Sequence, residues 1–308
     1  MTESAPKVQR VDRRSDVPSR MRLASLLLPL VCLFPACGSG GADIPAASMS
    51  GMALIDVDEL RRFVPDATHV IVDLRPHEAF AAAHVPGAVH LDVASLRAEV
   101  DGVPEQLAPR AQIEAALTAA GVDLGDDIVV LDEDAGPPAA RLVWTLLYFG
   151  HAPEHLRLLD GGWAAWAADE APRSDETPPI TPAKAALGAE QPGHLVDADW
   201  VLAHLRDPAV LLLDVRRDAE WAAGRIPGAV HLPWEQARGA DGRLLPEPAL
   251  RDLYARALAA PTVVAYCKSG MRASLTWLVL RLLDHPDVRL YDGSWNEWGA
   301  RPGLPQEH

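Results

Sequence analysis

Cysteine is scarce in this chain, with three in 308 residues, at positions 32, 37 and 267. Positive charge is also short: 28 Lys and Arg stand against 43 Asp and Glu, a net charge of −15 at pH 7. The deficit deepens after residue 36, where 22 basic residues face 40 acidic ones. That balance argues against nucleic acid or an anionic membrane surface as a partner, and a small anionic substrate would need a local positive pocket. The eleven histidines show no metal-ligand spacing such as His-x-x-x-His, and no Gly-rich dinucleotide fingerprint appears. Neither a metal nor an organic cofactor is expected. What is present is ordinary globular material, 49% apolar and 23% charged, long enough for about two domains.

The N-terminal 36 residues are the only locally basic segment. From Met21 and Arg22 an apolar run leads through Cys32 to Ala36 and Cys37. It is too short to span a bilayer comfortably and has the anatomy of an export signal. Gly38 to Gly41 then form a flexible tether. The segment resembles a bacterial lipoprotein signal, which implies that Cys32 is removed and Cys37 becomes the lipidated first residue. Phe34 and Pro35 depart from the usual pattern, Met21 is a candidate true start, and plain signal cleavage or a buried helix are the competing readings. Gly38 after the cysteine resembles outer-membrane sorting. With this processing Cys267 is the one remaining thiol in an oxidising compartment, so no disulfide can form within the mature chain.

The chain is organised around residues 262–276. A β-branched run, Thr262 to Val264, ends at Tyr266 and is followed by Cys267, Lys268, Ser269, Gly270, Met271 and Arg272. The apolar positions Leu275, Leu278, Val279 and Leu282 then follow at helical spacing. This predicts strand, tight loop, helix, with the cysteine first in the loop. Backbone N–H groups of such a loop converge at a helix N-terminus and favour an anion, hence a thiolate nucleophile. From this stretch alone, a buried and inert cysteine at a strand end is the alternative.

An internal repeat sets the architecture. Residues 54–64 match 195–205, Asp73 and Arg75 match Asp214 and Arg216, and His84–Leu91 matches Arg225–Leu232, all at an offset of 141. Leu159–Trp166 matches Tyr291–Trp298 at an offset of 132. In the first repeat, strands are predicted at 70–74, 88–91, 128–131 and 156–159, with helices at 76–83, 110–120, 138–149 and 163–168. Apolar strands alternating with helices mean an α/β fold, a parallel sheet covered on both faces in each of two homologous domains. The boundaries read as extension and signal 1–36, tether 37–51, first domain 52–170, Pro-rich linker 171–194 and second domain 195–303.

Phe80, His84, Val85, Pro86, Gly87, Ala88 and Leu91 form one signature, and Tyr291, Asp292, Gly293, Ser294, Trp295, Glu297 and Trp298 form another. Together, around a cysteine loop, they resemble the tandem-domain rhodaneses, the thiosulfate and 3-mercaptopyruvate sulfurtransferases, over about residues 54–301. The resemblance implies one active domain and one that has lost its cysteine. Aligning Ile128–Asp132 with Val263–Cys267 puts Asp132 at the silent position, and Asp accepts no sulfur. It further implies ping-pong transfer through a Cys267 persulfide, cradled by the N–H groups of Lys268, Ser269, Gly270, Met271 and Arg272. Lys268 and, from the silent domain, Arg141 are the expected substrate-binding cations, and Arg272 is expected to close the loop on its carbonyls or on an acidic neighbour.

Related phosphatases and arsenate reductases carry one more residue between Cys and Arg. The tighter loop therefore favours sulfur transfer over ester hydrolysis. A basic residue after the cysteine resembles thiosulfate enzymes, whereas the Ser-Gly centre is shared with the mercaptopyruvate branch. A carrier or redox sensor that holds a persulfide without turnover has the same loop. The Asp-x-Arg pairs and Trp163, Trp166, Trp295 and Trp298 recur in both repeats and read as structural, the tryptophans as core or domain-interface aromatics. The expected partners are a small anionic sulfur donor and a thiophilic acceptor, with a membrane met only through a lipid anchor at Cys37; a monomer suffices, since the cleft needs one chain. The intact mass of the mature protein tests the processing: an acylated chain beginning at Cys37 is expected, and any other start or an unmodified terminus contradicts it.

Overall fold

A computed structural model describes residues 51–64 and 69–308; Cys32 and Cys37, with the expected signal and most of the tether, lie outside the described residues. The strands in chain order are β1 Ala53–Ile55, β2 Val70–Asp73, β3 Val89–His90, β4 Arg97–Val100, β5 Val103–Leu107, β6 Ile128–Leu131 and β7 Leu156–Leu159 in the first repeat. The second repeat supplies β8 Leu195–Val196, β9 Val210–Asp214, β10 Val230–His231, β11 Thr262–Tyr266 and β12 Val288–Tyr291. Two five-stranded sheets result, in the orders β1-β7-β6-β2-β3 and β8-β12-β11-β9-β10, and every pairing in them is parallel. The two orders are the same topology, as the repeat requires.

Local chemistry starts each domain in the same way. Asp56 accepts the backbone N–H of Glu59 at 2.8 Å, and Asp197 accepts that of Trp200 at 2.7 Å. Each aspartate caps the first helix of its repeat, Val57–Phe63 or Ala198–His204. The central strands β6 and β11 are buried almost throughout, the pattern of strands covered on both faces.

Helices Pro137–Tyr148 and Met271–Leu282 are buried on nearly every side. They pack against each other, and their residues belong to one apolar cluster drawn from both repeats. Helices apolar all round belong in such an interior position. Each sheet buries its opposite face in a cluster of its own. Trp163 and Trp166 lie in one of these outer clusters, Trp298 in the other with Trp295 packed against it, so the tryptophans serve the outer cores and not the domain junction. The Asp-x-Arg pairs hold the same outer faces. Arg75 Nη2 donates to Asp73 at 2.7 Å and Arg216 Nη2 to Asp214 at 2.6 Å, and the guanidiniums lie 4.0 Å and 4.5 Å from the Trp163 and Trp295 rings.

The expected helices and strands match to within a residue or two, the strand predicted at 88–91 shrinking to Val89–His90. Not foreseen in the first repeat were β1, the helix Val57–Phe63 and a hairpin. β4 and β5 form this antiparallel hairpin, which carries positive φ at Asp101, Gly102 and Glu105. Its polar, half-exposed residues show no run of apolar alternation, the usual mark of a strand. The segment 171–194 has no strand or α-helix, yet it is docked: Ala185 and Leu187 are buried, and Arg110 donates to the carbonyls of Leu187 and Gly188 at 2.9 and 3.0 Å.

Candidate active site

β11 is the middle strand of the second sheet, and Cys267 follows its last residue. The carboxyl end of a central parallel strand is where an open α/β sheet leaves a crevice. From Cys267 the chain turns through Lys268 and Ser269 to Gly270, whose φ of 75° is left-handed, and enters the helix at Met271. A side chain at Gly270 would be strained by that φ, and its Cβ would strike the Asp292 carboxylate and stand 3.0 Å from Arg141 Nη1.

The loop is held from beneath by the Tyr291–Trp298 signature. Ser294 Oγ accepts the N–H groups of Cys267 and Gly270, both at 3.1 Å, and donates to the Tyr291 carbonyl at 2.7 Å, so the Gly270 N–H expected to cradle a persulfide is instead engaged from below. The N–H groups of Trp295 and Asn296 donate to the carbonyls of Cys267 and Lys268 at 3.1 and 2.9 Å. Arg272 Nη1 and Nη2 donate to the two oxygens of Glu220 at 2.6 and 2.8 Å. That fork holds the Glu220 carboxyl below the usual carboxylate range, and the Arg272 guanidinium above its own, first through Glu220 and also through Cys267. Cys267 has no exposed surface, whereas Lys268 beside it is exposed and without an ion pair among the described residues.

The first domain builds the corresponding loop around its own anion. Asp132 follows β6 and is buried, and its carboxylate accepts N–H groups from Asp134 at 3.2 Å, Gly136 at 2.9 Å and Ala139 at 3.1 Å. Burial pushes its carboxyl up, and the donated hydrogen bonds pull it back. This loop has one residue more than its counterpart before the helix begins at Pro137. A carboxylate thus occupies one cradle, and a thiol stands at the head of the other.

Arg141, expected as a substrate clamp, presents no exposed guanidinium. Its side chain is fully buried, and its guanidinium is forked onto Asp292, with Nη1 on Oδ1 and Nη2 on Oδ2 at 3.1 Å. Asp292 Oδ2 also accepts the Leu107 N–H from the β4–β5 hairpin. Both Nη groups are taken by this cross-domain ion pair behind Gly270, while Nε is buried with no hydrogen-bond partner. Glu220, Asp292 and Ser294 carry parts of this site that the sequence reading did not assign. The last two sit inside the Tyr291–Trp298 signature, which was the available signal; Glu220 had none, because it joins the loop only through the fold. Among the described residues no group of three or more His, Cys, Asp or Glu could hold a metal ion.

A family model for the rhodanese-like domain matches this chain twice, over residues 56–169 and 197–301. The chain belongs to the rhodanese-like family. A putative thiosulfate sulfurtransferase of Mycobacterium tuberculosis (strain ATCC 25618 / H37Rv) is 32% identical over 274 residues, covering 82% of this chain and 95% of that one. Thiosulfate sulfurtransferase of Azotobacter vinelandii is 30% identical, with 77% and 90% covered, and 3-mercaptopyruvate sulfurtransferase of Escherichia coli (strain K12) is 29% identical, with 84% and 99% covered. The fold also matches an anaerobic ergothioneine biosynthesis enzyme from Chlorobium limicola, with a TM-score of 0.72 at 23% identity, over 82% of this chain and 69% of that one. The rhodanese-like pair is thus a member of a sulfurtransferase family, with its cysteine in the second domain.

In this rhodanese-like chain the Arg141–Asp292 pair is predicted to be structural. Arg141→Met strands a buried carboxylate and is expected to cost about 3–5 kcal/mol in urea unfolding, with little change in donor KM. A variant of native stability with a strongly raised KM would return Arg141 to the substrate.

Proposed function

We propose that the protein is a thiosulfate sulfurtransferase that works through a persulfide on Cys267. The observation that carries this reading is the pair of loops. The silent one wraps a buried carboxylate in backbone N–H groups, and the other presents a thiol at the matching position. A loop of this kind supports a thiolate, and after transfer the anionic outer sulfur of a persulfide.

The Cys267 thiolate attacks the outer sulfur of thiosulfate. A Cys–S–S bond forms, the donor's S–S bond breaks, and its electron pair leaves with sulfite. In the second half-reaction a thiophilic acceptor attacks the outer sulfur, and the electron pair returns to the Cys267 thiolate. With cyanide the product is thiocyanate. No external oxidant or reductant is needed. The exposed Lys268 meets the dianionic donor and stabilises departing sulfite. Full burial of Cys267 beside an exposed residue suits a small donor.

The Ser269–Gly270 centre of the loop and the relative named 3-mercaptopyruvate sulfurtransferase favour a second reading, with mercaptopyruvate as donor. Export with lipid attachment at Cys37 belongs to the same proposal, resting on residues 21–41 alone. Steady-state transfer to cyanide from each donor separates the two readings. The expected result is preference for thiosulfate, loss of at least 99% of activity in Cys267→Ser, and a several-fold higher KM with kcat retained in Lys268→Ala. Activity above a few per cent in Cys267→Ser contradicts the mechanism, and preference for mercaptopyruvate reassigns the donor.

A further inference from the structure

The repeat extends past the signatures to a pair of equivalent arginines. Residues Val93–Leu96 and Trp234–Ala237 each form a 3-10 turn, and each turn ends on an arginine, Arg97 and Arg238, at the same offset of 141 as the rest of the repeat. Each arginine then opens a hairpin, pairing across to Leu107 or Leu244. The partner leucines reach into the opposite domain in the same way. Leu107 N–H donates to Asp292 beside the Cys267 loop, and Leu244 N–H donates at 3.0 Å to Asp160, the equivalent aspartate beside the Asp132 loop.

What Arg238 does there is visible. It crosses the domain junction to the silent loop, where Nη2 donates to the Asp134 carbonyl and lies 2.8 Å from Asp134 Oδ2. With Asp134, Gly239 and Gly242 it lines a pocket of about 210 Å³ at the mouth of that loop. Asp134 stands two residues after Asp132, and the residue two after Cys267 is Ser269. The repeat thus makes Arg97 the counterpart of Arg238, and Ser269 the counterpart of Asp134, so the Cys267 loop has no carboxylate at that position.

The charge of Arg97 is met only within its own hairpin. Its Nε is buried with no hydrogen-bond partner, as is that of Arg141, but where Arg141 has both Nη groups forked onto Asp292, Arg97 has one ion pair, to the half-exposed Glu105 of the same hairpin, 3.4 Å away. A buried guanidinium N–H without an acceptor is costly unless an occupant supplies one. We propose that Arg97, and not Arg141, is the silent domain's anion-binding residue, holding the negatively charged end of the sulfur donor in front of Cys267. This deepens the sulfurtransferase reading and rests on it for the identity of the donor. It assigns the substrate class as a small molecule whose sulfur is attached to an anionic group, sulfonate or carboxylate. It also gives the catalytically silent domain a direct part in the site: the longer hairpin β4–β5 carries the arginine across. The cavity of about 770 Å³ lined by Val100, Gln106, Asp292 and Asn296 adjoins this arrangement, but Cys267 does not border it.

The thiol itself reports the effect without any sulfur-transfer assay. Alkylation of Cys267 by anionic iodoacetate and by neutral iodoacetamide can be followed by peptide mass, which separates it from Cys32 and Cys37. Arg97→Gln is expected to lower the iodoacetate-to-iodoacetamide rate ratio about tenfold, with the iodoacetamide rate retained. Arg97→Lys should keep most of the ratio, and Arg238→Gln, at the other loop, should leave it unchanged. Glu105→Gln, which frees Arg97 of its counter-charge, is expected to raise the ratio two- to threefold. An unchanged ratio in Arg97→Gln overturns the proposal. Should that variant not fold, an unchanged or lowered ratio in Glu105→Gln overturns it instead. A lowered ratio in a protein that transfers no sulfur would retain Arg97 as the anion-binding residue and remove the sulfurtransferase reading.

Discussion

Backbone N–H groups that converge at a helix start need an anion, and this requirement shapes both halves of the molecule. In the first domain Asp132 meets it from within, folding its carboxylate into the donors of its own loop. The loop is then complete and has nothing left to bind. In the second domain Cys267 stands at the corresponding place, and Ser294 takes the N–H groups of Cys267 and Gly270 from below. The two loops stand at equivalent places, one bonded to its own carboxylate and the other held by a serine hydroxyl from the Tyr291–Trp298 signature. The difference in charge follows the same division: Glu133 and Asp134 accompany Asp132, whereas Lys268 and Arg272 accompany Cys267.

The second domain's cysteine loop is supported partly by the first domain. Helices Pro137–Tyr148 and Met271–Leu282 share one core, so neither domain has a finished inner face alone. Arg141 anchors Asp292, and Leu107 adds a hydrogen bond to the same carboxylate, which in turn packs against Gly270. Duplication placed equivalent parts on both sides of the junction, and the reciprocal bond from Leu244 to Asp160 records that history in the geometry.

The fold was legible in the sequence because its signals are local and doubled. Strands such as Ile128–Leu131 are continuous apolar runs, and the repeat tested each assignment twice. The cysteine loop was legible for the same reason, since a loop between a strand and a helix is written in consecutive residues. Arg141 shows where this stops. Its segment indicated an arginine near the junction, but whether a guanidinium faces solvent or a carboxylate 151 residues away is decided by packing. Glu220, joined to Arg272 across 52 residues, was invisible for that reason too. The β4–β5 hairpin escaped because half-exposed polar strands lack the apolar alternation that announces a strand.

The most direct test of the account is to mix the protein with one equivalent of thiosulfate, without acceptor, and measure its mass and the sulfite released. The account predicts the addition of a single sulfur atom, located by peptide mapping on Cys267, together with stoichiometric sulfite and reversal by cyanide. Sulfite release with no sulfur on Cys267, or an added sulfur on another residue, would contradict it.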